Sequence, residues 1–248
     1  MDLSEQPAGK TFLRHPWELA KRHLLLRFVR TFALDAKPVC ILDAGAGDGW
    51  MGVELLQTLP AGSRLISWDV HYDAPSAPSD RQRCTPMLGD GDLGDVLLLL
   101  DVLEHVDDPR AWLTALVSAH LAPGGYVIVS VPAWPFLYGR HDRALKHHCR
   151  FHPAKARHLI EEAGLNVIFD GGMFLSLLPV RGLGNAVDRL LKPGSDAPLP
   201  TQLAWRRGRF AQRVATGLLV LDGRLALALA RHRMRVPGLS WWALCQKK

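Results

Sequence analysis

What the sequence lacks narrows it first. No uninterrupted run reaches the roughly 20 apolar residues that a membrane-spanning helix needs. The nearest candidate, "VATGLLVLDGRLALALA", carries Asp222 and Arg224 in its middle. The beginning, "MDLSEQPAGKTF", shows no basic-then-apolar pattern, so no secretory signal is expected and the expected location is the cytoplasm. There are four cysteines, Cys40, Cys84, Cys149 and Cys245, none at a paired spacing. That argues against a disulfide framework and a zinc ribbon. Cys40 lies inside an apolar strand and reads as core. No internal repeat is visible.

What is present is an ordinary globular composition. The chain has 248 residues, 48% of them hydrophobic and 22% charged, enough to bury a full core. A formal charge of +6 points to an anionic partner: nucleic acid, a phosphorylated substrate or an acidic membrane surface.

Helix and strand signals alternate along the chain. "HPWELAKRHLLLRFVRTFAL" places Trp17, Leu24, Leu25, Phe28 and Phe32 at three- and four-residue spacing, with Pro16 opening the helix. "PVCILDAG" reads as a buried strand ending in a glycine turn, followed by a helix from about Trp50 to Thr58. "RLISWD" is a second strand, and "HYDAPSAPSD" is a loop where a helix would normally stand. "DVLLLLDV" is apolar on both faces, as at the centre of a parallel sheet. The helix "DPRAWLTALVSAHL", the stop "APGG", the strand "YVIVSV", the helix "PAKARHLIEEAG" and the strand "LNVIFD" continue the order. This predicts an α/β fold with one doubly wound parallel sheet. The tail departs from it: residues 172–236 read as helices joined by "KPGSDAPLP", with Arg206, Arg207, Arg209 and Arg213 close together, before a last strand, "LSWWALCQ".

The informative turn is "ILDAGAGDGW", which sets Asp43, Gly45, Gly47 and Gly49 between a strand and a helix. Glycines there admit positive φ and let a ligand approach the backbone, outside the carboxyl ends of the strands. "GDGWMG", from Gly47, also fits the dinucleotide pattern G-x-G-x-x-G, but its first glycine falls four residues beyond Asp43, too late for a turn that begins where the strand ends. Asp69 closes the second strand, about 20 residues past the last glycine, where a carboxylate can accept ribose hydroxyls.

These residues, with "LLLLDVLEHVDDP", resemble the class I S-adenosylmethionine-dependent methyltransferases. More narrowly they resemble the bacterial small-molecule branch whose fourth strand runs into Leu-Glu-His-Val-x-Asp-Pro. The leading "HPWELAKR" and closing "VPGLSWWALCQKK" also look like that branch. The resemblance implies a Rossmann-like, mostly parallel seven-stranded sheet with an antiparallel last strand and a helical insert before it. It implies one domain over 1–248, divided into a leading helix (11–36), a cofactor-binding core (37–171), a helical insert or lid (172–236) and a final strand (237–248). The implied cofactor is S-adenosylmethionine. Gly45 and Gly47, with Gly49 completing the turn, would lie under its methionine part. Asp43 would hold the amino group through water, Asp69 the ribose and Asp90 the adenine amine, while Asp101 would border the methionine and the acceptor pocket.

Methyl transfer from a sulfonium is an in-line displacement, helped by alignment and exclusion of water. An acceptor that must lose a proton needs a base, usually histidine. His105, past the fourth strand, is one candidate. The others lie in "HDRALKHHCRFH", residues 141–152, after the fifth strand. The branch carries there an Asp, a short run, then Gly-His-x-Arg-Arg-Tyr. Asp142, His147, His148, Arg150 and Phe151 match, whereas Lys146 replaces the glycine and Cys149 an arginine. The expectation is His147 or His148 as base, with Asp142, Arg150 and Phe151 on the acceptor side and Arg150 structural or gripping an anion. A metal is not expected, because adjacent histidines in an extended loop face opposite ways and His152 sits where a helix cap belongs.

The function expected is methyl transfer, on oxygen, to a small molecule or a lipid-linked or glycan intermediate. Nucleic acid is disfavoured as acceptor: "LDVLEH" stands where amino-methylating enzymes of this fold carry Asn/Asp-Pro-Pro-Tyr, and no RNA-binding module is recognisable. The insert, "RRGRFAQRVATGLLVLDGRLALALARHRMR", mixes a basic face with apolar stretches. That is the pattern of a helix pair resting on an anionic membrane, or of a helix whose apolar face packs on the domain while its arginines are solvated. Alternatives are a non-catalytic cofactor-binding scaffold, an RNA methyltransferase and a nicotinamide-dependent oxidoreductase.

Overall fold

The structure is a computed structural model that describes residues 13–75, 81–191, 205 and 207–248. Residues 76–80 of the Pro/Ser/Asp loop, the "KPGSDAPLP" junction and Arg206 lie outside the described residues.

Helix α1 (Pro16–Thr31) begins at Pro16, and the ring of His15 accepts the Trp17 N–H at its start. Its inner face buries Ala20, Leu24, Leu25 and Phe28, the spacing that one side of a 3.6-residue helix dictates. Strand β1 (Cys40–Ala44) leads through the glycine turn into α2 (Trp50–Leu56). Then come β2 (Arg64–Trp68), the short β3 (Gln82–Thr85), β4 (Gly94–Leu100), α3 (Pro109–His120) and β5 (Leu121–Pro132). Helices α4 (Arg140–Ala144) and α5 (Pro153–Glu162) precede β6 (Leu165–Met173), and α6 (Leu177–Leu191) and α7 (Gly208–Arg231) precede β7 (Ser240–Lys247).

The seven strands lie in the order β3-β2-β1-β4-β5-β7-β6. Only β7 runs against its neighbours, antiparallel to both β5 and β6. The expected Rossmann-like, doubly wound sheet with an antiparallel last strand is therefore present. Because side chains alternate across a strand, Ile41, Leu98, Ile128 and Trp242 enter the core under α1, α2 and α7. Their neighbours Leu42, Leu97, Val127 and Trp241 enter the core under α3 and α5. Strand order reverses between β1 and β4, which opens a crevice at their carboxyl ends.

Local differences from the sequence reading have physical causes. "APGG" is not a separate stop: α3 ends at His120, and Leu121 already pairs with Gly94 as β5 begins. Strand β6 runs on to Met173, held by β7, so the insert starts inside a strand pairing rather than after it. Cys40, expected in the core, is half-buried at the start of β1, whereas Cys245 is buried; all four thiols are free. No helix among the described residues is long and apolar enough to cross a membrane.

Candidate active site

The glycine turn is held open by its own backbone. Gly45, Gly47 and Gly49 have φ of +68°, +56° and +69°. At Gly45 a side chain is doubly excluded, because a Cβ would lie 2.7 Å from Cγ2 of Val102. At these three positions the turn presents main chain and no side chain of its own. Beside it Asp43 is buried, and its Oδ2 has no hydrogen-bond partner. Burial pushes the Asp43 carboxyl up to about 7. A buried, unsatisfied carboxylate oxygen at such a turn is the donor-seeking group that a cationic amine would satisfy. The Ser67 hydroxyl, also buried and unpartnered, adds a second orphan at the carboxyl end of β2.

Asp69 ties the turn to β2. Its Oδ2 accepts the Gly47 N–H at 2.8 Å, and its Oδ1 accepts the His71 N–H at 2.9 Å with the His71 ring 3.0 Å away. Tyr72 brings its hydroxyl 3.5 Å from the position a Gly49 Cβ would take, and burial pushes its phenol up. Asp90, expected at the adenine, has no partner of its own at hydrogen-bond distance among the described residues. It is exposed on the turn after β3, while the neighbouring Asp92 shapes that turn by accepting the Gly89 N–H at 2.8 Å and pairing with Arg83.

Helix α1 closes the crevice from the other side. Arg14, just before it, pairs with Asp48 of the glycine turn at 2.6 Å and lies 4.0 Å over the Trp50 ring. Lys21, 4% exposed, pairs with Asp101 at the end of β4. Asp101 has φ +59°, a conformation unusual for a non-glycine residue. It also accepts the Ser130 hydroxyl at 2.8 Å. Burial alone would raise the Asp101 carboxyl, but the Lys21 ammonium and the Ser130 hydrogen bond outweigh it and hold the group below the ordinary carboxylate range.

Across the crevice the loop after β5 separates His147 from His148. His147 is nearly buried, with Nδ1 3.2 Å from Oδ1 of Asp142. His148 is half-exposed and pairs with Asp107 at the surface, 3.0 Å away. Asp142 is fully buried and saturated. Its Oδ1 also accepts Nε of Arg150 at 2.7 Å, and its Oδ2 accepts the Gly139 N–H at 2.9 Å and Nη2 of Arg181 at 2.6 Å. Burial opposes ionisation, but the His147 hydrogen bond and the two guanidinium charges hold the carboxyl far below its usual range.

Asp142, Arg150 and Phe151, expected on the acceptor side, all have partners within the protein. Asp142 has four donors on two oxygens and no lone pair left for a substrate. Arg150 is buried against Asp142 and the Ala133 carbonyl, 3.1 Å away. Phe151 is buried too, bridged to Ala133 by its main chain. Asp142 holds His147 directly, and Arg150 in turn holds Asp142.

His105 does reach the same place. Its ring meets that of His147 edge-on, 4.8 Å between centroids. Glu104, fully buried, brings Oε1 within 4.0 Å of His147 Nε2, and neither of its carboxyl oxygens has a hydrogen-bond partner. Burial, with the Asp101 charge added, raises the Glu104 carboxyl well above its ordinary value. Donor atoms of Glu104, His105 and His147 lie within 4.8 Å of one another, so the set could hold a metal ion.

Lys21, Glu104, Ser67 and Tyr72 were not anticipated. The only sequence signal was Lys21 itself, a charge on the apolar face of α1, one helical turn from Trp17 and from Leu24.

A family model described as a methyltransferase domain matches residues 17–169. No curated protein matches the chain in sequence. Among solved structures, a putative sarcosine dimethylglycine methyltransferase from Galdieria sulphuraria is similar at TM-score 0.55 and 15% identity, covering 93% of this chain and 86% of that one. The plantazolicin methyltransferase BpumL, solved with S-adenosylhomocysteine, is similar at TM-score 0.51 and 14% identity, with 93% and 85% covered. The [4+2]-cyclase SpnF shares the fold at TM-score 0.51 and 12% identity, with 99% and 89% covered.

Proposed function

This chain belongs to the methyltransferase domain family, and from that premise we propose that it transfers a methyl group from S-adenosylmethionine to an oxygen of a small or lipid-linked acceptor. The observation that carries the cofactor reading is the positive-φ glycine turn at Gly45, Gly47 and Gly49 beside the unpartnered Oδ2 of Asp43. When bound, the cofactor supplies an electrophilic methyl on a sulfonium, for which positioning does much of the catalysis. Gly45 and Gly47 would lie beneath its methionine part, Asp43 would face the ammonium and Asp69 the ribose. Lys21 and Asp101 would form the wall between cofactor and acceptor.

His147 is the proton acceptor in this reading. Asp142 accepts a hydrogen bond from Nδ1–H, which leaves Nε2 as the basic nitrogen, and the same carboxylate stabilises the imidazolium once formed. His105 shares the acceptor side. Glu104, whose carboxyl burial and the Asp101 charge push up, lies beside His147 on the same side. The enzyme is read as cytoplasmic, with the helical insert able to meet a membrane surface.

Calorimetric titration with S-adenosylmethionine tests the cofactor half. A folded protein that shows no binding at high micromolar cofactor would sink it. Incubation of cell extract with methyl-labelled cofactor, with and without the enzyme, then reveals the acceptor class by the labelled product.

A further inference from the structure

Helix α6 is built with its polar side inward. Arg181 reaches Asp142, Asn185 donates its amide to the Leu137 carbonyl at 2.6 Å, and Asp188 pairs with Arg140 at 3.5 Å. The other side, Val180, Leu183, Val187 and Leu190, stands in solvent, with Leu183 68% and Leu190 79% exposed. Helix α7 packs Leu219, Ala226 and Leu227 on the core, yet carries a second apolar stripe on its outer side. Gln212 and Thr216 are buried, and Asp222 accepts the N–H groups of Leu175 and Ser176 at 3.2 and 2.8 Å. Phe210, Val214, Leu218, Leu221 and Leu225 face outward at three- and four-residue spacing. Soluble helices turn their apolar stripe to the core. Scattered exposed leucines are ordinary, but two continuous stripes are a surface meant to be covered.

Charge selects the cover. Helix α7 carries Arg209, Arg213, Arg224 and Arg231, all exposed, and its one acidic residue, Asp222, is used on the start of α6. A second copy on this face would set these arginines against one another. An anionic leaflet supplies hydrocarbon for the leucines and phosphates for the arginines, whose stems can lie along the apolar boundary.

Helix α6 also walls a cavity of about 340 Å³ lined by Trp134, Phe136, Leu137, Leu178, Pro179 and Gly182. Three successive residues thus link three places. Arg181 holds the Asp142 carboxylate, Gly182 lines the cavity, and Leu183 stands on the outward stripe.

We propose that α6 and α7 seat the enzyme on an anionic membrane leaflet, and that the cavity takes the hydrocarbon chain of an acceptor drawn from that leaflet, head toward His147. The chain site rests on the methyltransferase reading; the seating does not.

The test is flotation with phosphatidylglycerol-containing vesicles against phosphatidylcholine alone, with cofactor binding and circular dichroism measured on the same preparations. The enzyme floats with the anionic vesicles, and added salt weakens the effect. Leu183→Glu/Val187→Glu and Leu218→Glu/Leu221→Glu each reduce flotation about tenfold while cofactor binding and fold persist. Absence of flotation, or equal flotation of these variants, overturns the seating. So does a dimer in solution that the same variants convert to monomer. For the chain site the probe is cis-parinaric acid, a fluorescent fatty acid that binds saturably and is lost in Gly182→Phe; undiminished binding there overturns it. Failure of cofactor binding in the unaltered enzyme would count against the methyltransferase reading and leave flotation to judge the surface by itself.

Discussion

His147 Nδ1 lies 3.2 Å from Oδ1 of Asp142, and no comparable carboxylate serves His148, whose ring meets only the exposed Asp107. Replacement of His147 by Ala is therefore expected to lower turnover by about 10²- to 10⁴-fold, the range of a general base. Cofactor affinity should be retained, and His148→Ala should leave turnover nearly unchanged. Equal effects of the two substitutions on turnover would refute the assignment.

Asp43 makes cofactor affinity depend on pH. Its folded carboxyl is raised to about 7, so its stabilising contribution is complete below about pH 4 and is lost as pH rises through 7. A bound ammonium prefers the ionised form. Affinity should then rise about tenfold from pH 6 to pH 8, with a proton released on binding. Calorimetry in buffers of different ionisation enthalpy measures that release. Asp43→Asn should bind more weakly and show no such dependence.

Lys21 neutralises Asp101 where neither reaches much water. Removing one partner of a buried pair costs about 3–5 kcal/mol, because the other charge stays behind. Lys21→Ala should lower the urea midpoint accordingly, and Lys21→Met/Asp101→Asn should recover part of the loss. A cost within about 0.5 kcal/mol, as at an ordinary surface site, would mean that the pair is solvated.

Lys146 has φ +55° at the position where the resembled branch carries glycine. A left-handed non-glycine residue costs about 1–2 kcal/mol, offset in part by the larger chain entropy that glycine loses on folding. Lys146→Gly should thus raise stability by about 0.5–1 kcal/mol with turnover intact. A lowered melting temperature would contradict it.

The sheet and the glycine turn were legible because they are written locally. The strand ending at Asp43, the positive-φ glycines and the alternation of Ile41 with Leu42 need only neighbours in sequence. The rest depends on packing at a distance. Lys21 became a site residue only because Asp101 lies 80 residues later. The four donors gathered on Asp142 could not be read from its neighbours, because one of them, Arg181, comes from the insert. The outward turning of α6 was hidden for the same reason, since periodicity gives a helix two faces without saying which one meets the protein. His147 and His148, adjacent in sequence, could be told apart only by where α4 and the turn at Lys146 aim them.

Asp142 should also set the acid limit of the fold. Its folded carboxyl lies below the unfolded value of about 3.9. The stability it adds is therefore fully present above about pH 4 and is lost as pH falls through the folded value. Protonation there would remove the counter-charge of Arg150 and Arg181 together, leaving two guanidinium groups facing each other under cover. Denaturation by urea at pH values from 7 to 2 should show a steep loss of midpoint below pH 4. Asp142→Asn should begin lower at pH 7 by about 3–5 kcal/mol and lose less on acidification, because its amide cannot titrate. If both proteins lose stability in parallel, the acid transition belongs to other carboxylates and Asp142 is not the keystone of this loop.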